Sequence, residues 1–275
     1  TEKSKATQVK LNSDQMDMFE SDVAVEEAVA LETELSTEEE QQATNVIYKT
    51  STDVEHTYHL IDTKEKRASL IATLMSKPSI SFDTETTGLD ANNSELVGLS
   101  FAVTPKEAYY VPVPEAREEA QALINEFKPL YENEKIMKIG QNIKYDLSVL
   151  KWYGVELKGK LFDTMLAHFL LKPEMRHNMN VLSETYLGYS PISIETLIGK
   201  KGKGQLSMRE VPIEQIKEYA AEDADVTLQL KEKFEPMLAN AATQQLFEEV
   251  ELPLIPVLAD MEAEGITLDK AALGE

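Results

Sequence analysis

The sequence predicts an α/β protein, and three observations carry that expectation. Apolar, strand-like runs at residues 80–82, 96–103 and 108–113 are joined by short turn-like links, as in an antiparallel meander. From residue 115 onward, runs with helical spacing alternate with short strand-like ones. At 275 residues and 42% apolar content, the chain can bury a sizeable core.

Composition narrows the chemistry. There is no Cys, which excludes disulfides and thiolate metal sites, and the four His residues make a His-rich zinc site a poor expectation. No apolar run is long enough to span a membrane and no signal-peptide pattern opens the chain, so a soluble, cytoplasmic protein is expected, with a monomer as the default. The formal net charge of −22 argues against a simple nucleic-acid binder. It does not exclude a nuclease built on acidic residues, because bound cations reverse the local sign.

The elements follow in order. Residues 1–54 are rich in Glu, lack strand patterning and read as a disordered acidic tether, which suggests a piece of a longer protein with a domain upstream. His56–Ile61 has strand composition. Asp62 precedes Glu65 by three residues, the spacing of a capping box, and opens a helix through Leu70, Ile71 and Leu74 that Pro78 ends. After the meander, Ala116, Ala120, Leu123, Ile124 and Phe127 share one face of a helix over 115–130. Lys135–Gly140 is a short strand, Gly140 closes it, and a helix begins. Asp163 reads as the cap of an apolar helix from Met165 to Leu171, and short helices and turns fill 174–198. The loop Lys200–Gly204 is a compact basic cluster without P-loop spacing; it suits either a solvated turn or a phosphate-steering loop. A last long helix is expected over 213–231.

Three acidic elements stand out. Asp83 and Glu85 lie two apart on the strand that starts at Ile80, so both carboxylates share one sheet face. Side by side they repel, and a hard cation between them would relieve the repulsion. Asp146 sits one turn into the helix after Gly140, within reach of that strand end. Tyr219 and Asp223 lie four apart and share a helix face, while Asp225 points elsewhere. Singly, each also suits an ordinary surface strand, a helix-dipole residue or a core aromatic.

In order, Asp-x-Glu, Asn-x-x-x-Asp and Tyr-x-x-x-Asp resemble the DEDD superfamily of 3′→5′ exonucleases, in its Tyr subclass. Phe82–Thr86, Leu96–Phe101, Gly140–Asn142, Phe162–Leu166 and Tyr219–Asp225 look like the proofreading domain of bacterial family A DNA polymerases. The likeness spans residues 55–235, and Glu249–Leu254 with Val257–Ile266 resembles the first helix of the polymerase domain, so 236–275 reads as its truncated start. The resemblance implies a ribonuclease H-like fold: a mixed five-stranded sheet with helices on both faces, the acidic residues meeting at one edge, plus a C-terminal helical extension. It implies two divalent cations, Mg²⁺ or Mn²⁺, with Asp83 bridging, Glu85 and Asp223 completing one site and Asp146 holding the other. Tyr219 would orient the attacking water, and the product would be a nucleoside 5′-monophosphate from the 3′ end of single-stranded DNA. Leu89, Gln141, Asn142 and Tyr145 would contact the strand, and Ile194 stands near where the family often places an aromatic residue. Polymerase and 5′-nuclease domains of the same chain are the implied partners. Two alternatives remain: an RNA-trimming exonuclease of the same superfamily, and a non-catalytic spacer that only binds single-stranded DNA.

Overall fold

The structure, a computed structural model, describes residues 47–274 apart from 201 and 203. The expected tether therefore falls almost wholly outside the described residues, as do two lysines of the basic loop. Among the described residues no helix is long and apolar enough to cross a membrane.

The sheet has six strands rather than five: β1 (Thr57–Leu60), β2 (Ser79–Thr86), β3 (Leu96–Thr104), β4 (Glu107–Pro112), β5 (Met137–Gly140) and β6 (Leu161–Asp163). Their order is β1-β4-β3-β2-β5-β6. The β2–β3–β4 meander is antiparallel as expected; β1, β5 and β6 join in parallel. Strand β6 escaped the sequence reading because three residues are too few to show alternation.

Helix α1 (Lys64–Met75) forms where expected, but its cap is Thr63, whose side chain accepts from the Lys66 amide. Asp62 instead pairs with the Lys66 ammonium at 2.7 Å. Helices α2 (Arg117–Tyr131) and α3 (Ile143–Lys151) follow, then α4 (Thr164–Leu171), α5 (Met179–Leu187) and α6 (Ile194–Ile198). The long helix α7 spans Ile213–Asn240, continuing past the expected end through Pro236. A π-helical turn, Phe247–Glu251, leads into α8 (Leu252–Glu264).

The alternation of side chains sorts the two faces. Phe82, Leu99 and Phe101 point into a core closed by α1, α2 and α3, where Phe101 stacks on Phe127 and Phe82 meets Tyr131 edge-on. The other face of β2 and β3 carries Ser81, Gly98, Ser100 and Ala102, all small. Helix α7 offers Ala220, Ala221 and Ala224, each fully buried. Small residues on both sides let the helix lie close to the sheet. At Gly98 the space is already taken, since an added Cβ would lie 2.2 Å from the Tyr110 ring.

Candidate active site

The close approach of α7 brings two ladders together. Along β2, Glu85, Asp83 and Ser81 repeat every second residue, a pitch of about 6.7 Å. Along α7, Tyr219, Asp223 and Thr227 repeat every fourth, a pitch of about 6.0 Å. Near-equal pitches keep the two rows in step, so a carboxylate from the helix meets two from the strand. Asp83, Glu85 and Asp223 each offer an oxygen within 4.8 Å of the others. β2 is an interior strand, but β5 pairs only with Ser79–Ser81, so Asp83 and Glu85 lie past it with β3 alone paired beside them, at an open edge of the sheet as expected. A shift of register between Glu85 and Thr86 ends regular pairing beside the cluster.

The electrostatics are those of negative charges deprived of water. Burial, opposed by a backbone hydrogen bond at Thr84, pushes the Asp83 carboxyl up to about 7. Burial, then the charges of Asp83, Asp223 and Asp146, hold Glu85 well above its ordinary range. Asp223 and Asp146 are raised by burial and by Asp83. Glu85 Oε1 is buried without a hydrogen-bond partner, although an orphaned polar atom ordinarily costs about 1–3 kcal/mol. Hard oxygen donors, mutual repulsion and an orphaned oxygen all fit a divalent cation. The Tyr219 hydroxyl reaches Asp223, and burial with three acidic neighbours keeps it protonated.

These shifts have a consequence for stability. In metal-free solution the folded protein binds protons on these carboxylates more tightly than the unfolded chain, whose carboxyls titrate near about 4. Stability then falls as pH rises from that range through about 7, the value for Asp83. Lowering the pH from 7 to 5 should raise the Tm of metal-free protein, and saturating Mg²⁺ should erase the gain. Calorimetry showing a flat or falling Tm over that window would contradict this electrostatic picture.

Asp146 stands outside the three-carboxylate group, beside the edge of β2 that β5 leaves open. It accepts from the Thr84 amide at 3.0 Å and from the Thr84 hydroxyl at 2.6 Å. Helix α3 brings it there although its N-cap, Asn142, lies at φ 58° and makes no side-chain cap bond. The cap comes from Asp163, which accepts from the Ile143 amide at 2.7 Å as well as from Met165 and Leu166 in its own helix. Of the expected strand-binding residues, Leu89, Asn142 and Tyr145 line one cleft of about 300 Å³, with Lys144 and Glu262 beside them. Leu89 is 93% exposed. Gln141 lies elsewhere: its amide donates to the His177 carbonyl and its oxygen accepts from Thr164. Ile194, at the start of α6, is partly exposed. The role of Thr84 and the second cap of Asp163, on α3, are not legible in the sequence, because each depends on a contact at long range.

Comparison with known proteins agrees with this arrangement. A family model described as 3′-5′ exonuclease matches residues 58–239. DNA polymerase I of Pseudomonas aeruginosa is 42% identical over 206 residues, covering 71% of this chain and 22% of the relative. That of Chloroflexus aurantiacus is 39% identical over 212 residues, covering 76% and 22%. The chain thus spans about a fifth of the length of these curated relatives. Among solved structures, Brucella melitensis NrnC with bound Mg²⁺ superposes with a TM-score of 0.59 at 20% identity, covering 77% of this chain and 95% of that one. The POL domain of Pol1 from M. smegmatis gives 0.61 at 19% identity, covering 78% and 34%. These structural likenesses establish the ribonuclease H-like fold. The matched stretch holds all three acidic elements within one continuous family alignment, and on it the chain belongs to the 3′-5′ exonuclease family.

Proposed function

We propose that this domain is a metal-dependent 3′→5′ exodeoxyribonuclease that trims single-stranded or frayed DNA ends, the proofreading part of a longer DNA polymerase I. The observation that carries it is the convergence of Asp83, Glu85 and Asp223 within 4.8 Å around an orphaned Glu85 oxygen. Asp83, Glu85 and Asp223 would hold one divalent cation, and Asp83 with Asp146 a second; Mg²⁺ and Mn²⁺ both suit such donors. Bound cations would supply charge neutralisation and a more acidic water.

The residues do the rest. Tyr219 would orient the attacking water by hydrogen bonding; it need not take the proton, since a Tyr ionises near about 10 and a bound cation makes the water more acidic. The water oxygen bonds to the terminal phosphorus, the bond to the 3′ oxygen of the preceding nucleotide breaks, and that oxygen leaves as a hydroxyl after taking up a proton. Leu89, exposed at the rim, would wedge near the last bases, and Asn142 and Tyr145 would line the strand. Tyr145 is pre-set for this by its hydrogen bond to the Gly88 carbonyl. Gln141 would act at one remove, by holding the His177 loop. A terminal nucleotide must leave the duplex to reach buried carboxylates, and a mismatched end does so more readily. Residues 1–54 would then be a tether towards a 5′-nuclease domain, and 236–275 the start of the polymerase domain.

A 5′-labelled single-stranded DNA incubated in low salt with Mg²⁺, Mn²⁺ or EDTA tests the proposal. A ladder shortening from the 3′ end, abolished by EDTA, is expected, with an RNA strand of the same sequence cleaved more slowly. Binding without cleavage would instead favour a spacer role, and faster RNA cleavage an RNA-trimming enzyme.

A further inference from the structure

Asp146 is fixed by a device that the other carboxylates lack. Thr84 lies between Asp83 and Glu85 on β2, so its side chain points to the opposite sheet face. The hydroxyl and the in-plane backbone amide of Thr84 both donate to one oxygen, Asp146 Oδ1, at 2.6 Å and 3.0 Å, which sets that oxygen against the open edge of β2. All three atoms are buried. The terminal torsion of an Asp side chain is broad, so helix α3 alone would leave the carboxylate free to swivel. Two donors converging on Oδ1 remove that freedom. The wall behind is Tyr131, fully buried, packed edge-on against Phe82, its hydroxyl without a partner. Burial and the charges of Asp146 and Asp83 keep that hydroxyl protonated.

We propose that Thr84 is a positioning residue: it fixes Asp146 through Oδ1 and so presents Oδ2 to the second divalent cation. This rests on the metal-dependent reading above and deepens it. The strand that supplies two carboxylates thereby sets the third, so one backbone segment governs the spacing of both cation sites. A ligand whose orientation is set in advance gives up no rotamer freedom when the ion arrives.

The test compares Thr84→Val, which keeps shape and the amide bond but removes the hydroxyl, with Thr84→Ser, which retains it. Mn²⁺ binding to the metal-free protein without DNA is followed by electron paramagnetic resonance. The weaker Mn²⁺ site should lose affinity about tenfold in Thr84→Val and stay within about threefold in Thr84→Ser. The kcat on single-stranded DNA should follow the same order, with KM for DNA little changed. If Thr84→Val does not fold, Thr84→Ala takes its place. Unchanged Mn²⁺ affinity in the variant lacking the hydroxyl overturns the proposal even if Tm falls, because a purely structural role lowers Tm alone. Equal loss in the Ser variant overturns it too. Wild-type protein that binds two Mn²⁺ yet cleaves nothing would sink the exonuclease reading, while the Mn²⁺ titration would still decide the role of Thr84.

Discussion

Asp83→Ala is expected to lower the rate of 3′-end cleavage by at least roughly 10³, about 4 kcal/mol of barrier, while raising the Tm of the metal-free protein. Both effects come from one geometry. Asp83 shares the three-carboxylate cluster and also raises the pKa of Asp146, Asp223 and Glu85, so it is the charge common to every group in the site. Removing it deletes a ligand common to both proposed cation positions. It also deletes the charge that the other three must repel when no cation is present. Asp223→Asn should behave in the same direction, losing activity and gaining metal-free stability. Single-turnover cleavage at saturating Mg²⁺ and calorimetry with EDTA measure the two halves. Cleavage within tenfold of wild type in Asp83→Ala would remove the cluster from the mechanism. A lowered metal-free Tm would show that the buried carboxylates are held by contacts other than those described.

The legible part of this site was the part governed by a local period. Asp83 and Glu85 could be placed on one face because a strand repeats every two residues, and Tyr219 with Asp223 because a helix repeats every 3.6. The meander was visible because its strands are long and its links short. What the sequence withheld was set by contacts between distant segments. Thr84 and Asp146 are 62 positions apart, and nothing around Thr84 marks it as a clamp. Gln141, expected on the DNA path by resemblance, also donates its amide to the His177 carbonyl and accepts from Thr164, contacts that no local pattern announces. Asp62 carried the spacing of a capping box, but Lys66 lies four residues on and claims its carboxylate, which leaves the cap to Thr63. Strand β6 owes its existence to pairing with β5, not to any pattern of its own.

Asp163 shows the same division in one residue, and its substitution is the change expected to cost the most stability. Its role as the cap of α4 was legible, since an Asp before an apolar helix accepts from the first free amides, here Met165 and Leu166 at 2.8 and 3.0 Å. Its second role was not: Oδ2 accepts from the Ile143 amide at 2.7 Å and so caps α3, whose own N-cap makes no side-chain bond. One buried carboxylate thus ties together the starts of two helices, one of which carries Asp146. Asp163→Ala would strand the buried Ile143 amide and the part-buried Met165 and Leu166 amides, and at about 1–3 kcal/mol for each orphaned group a loss of roughly 3–5 kcal/mol is expected after partial relaxation. Asp163→Asn keeps an oxygen for α4 but turns an NH₂ towards the Ile143 amide, donor against donor, so about half that loss is expected, with α3 the helix released. Urea denaturation at pH 7 separates the two variants from wild type. Activity supplies the second reading: if the cap on α3 is what holds Asp146 against Thr84, Asp163→Asn should lower cleavage more than its stability loss explains. A loss below about 1 kcal/mol in Asp163→Ala would mean that water or backbone groups cap α3 equally well, and that Asp146 is placed by Thr84 alone.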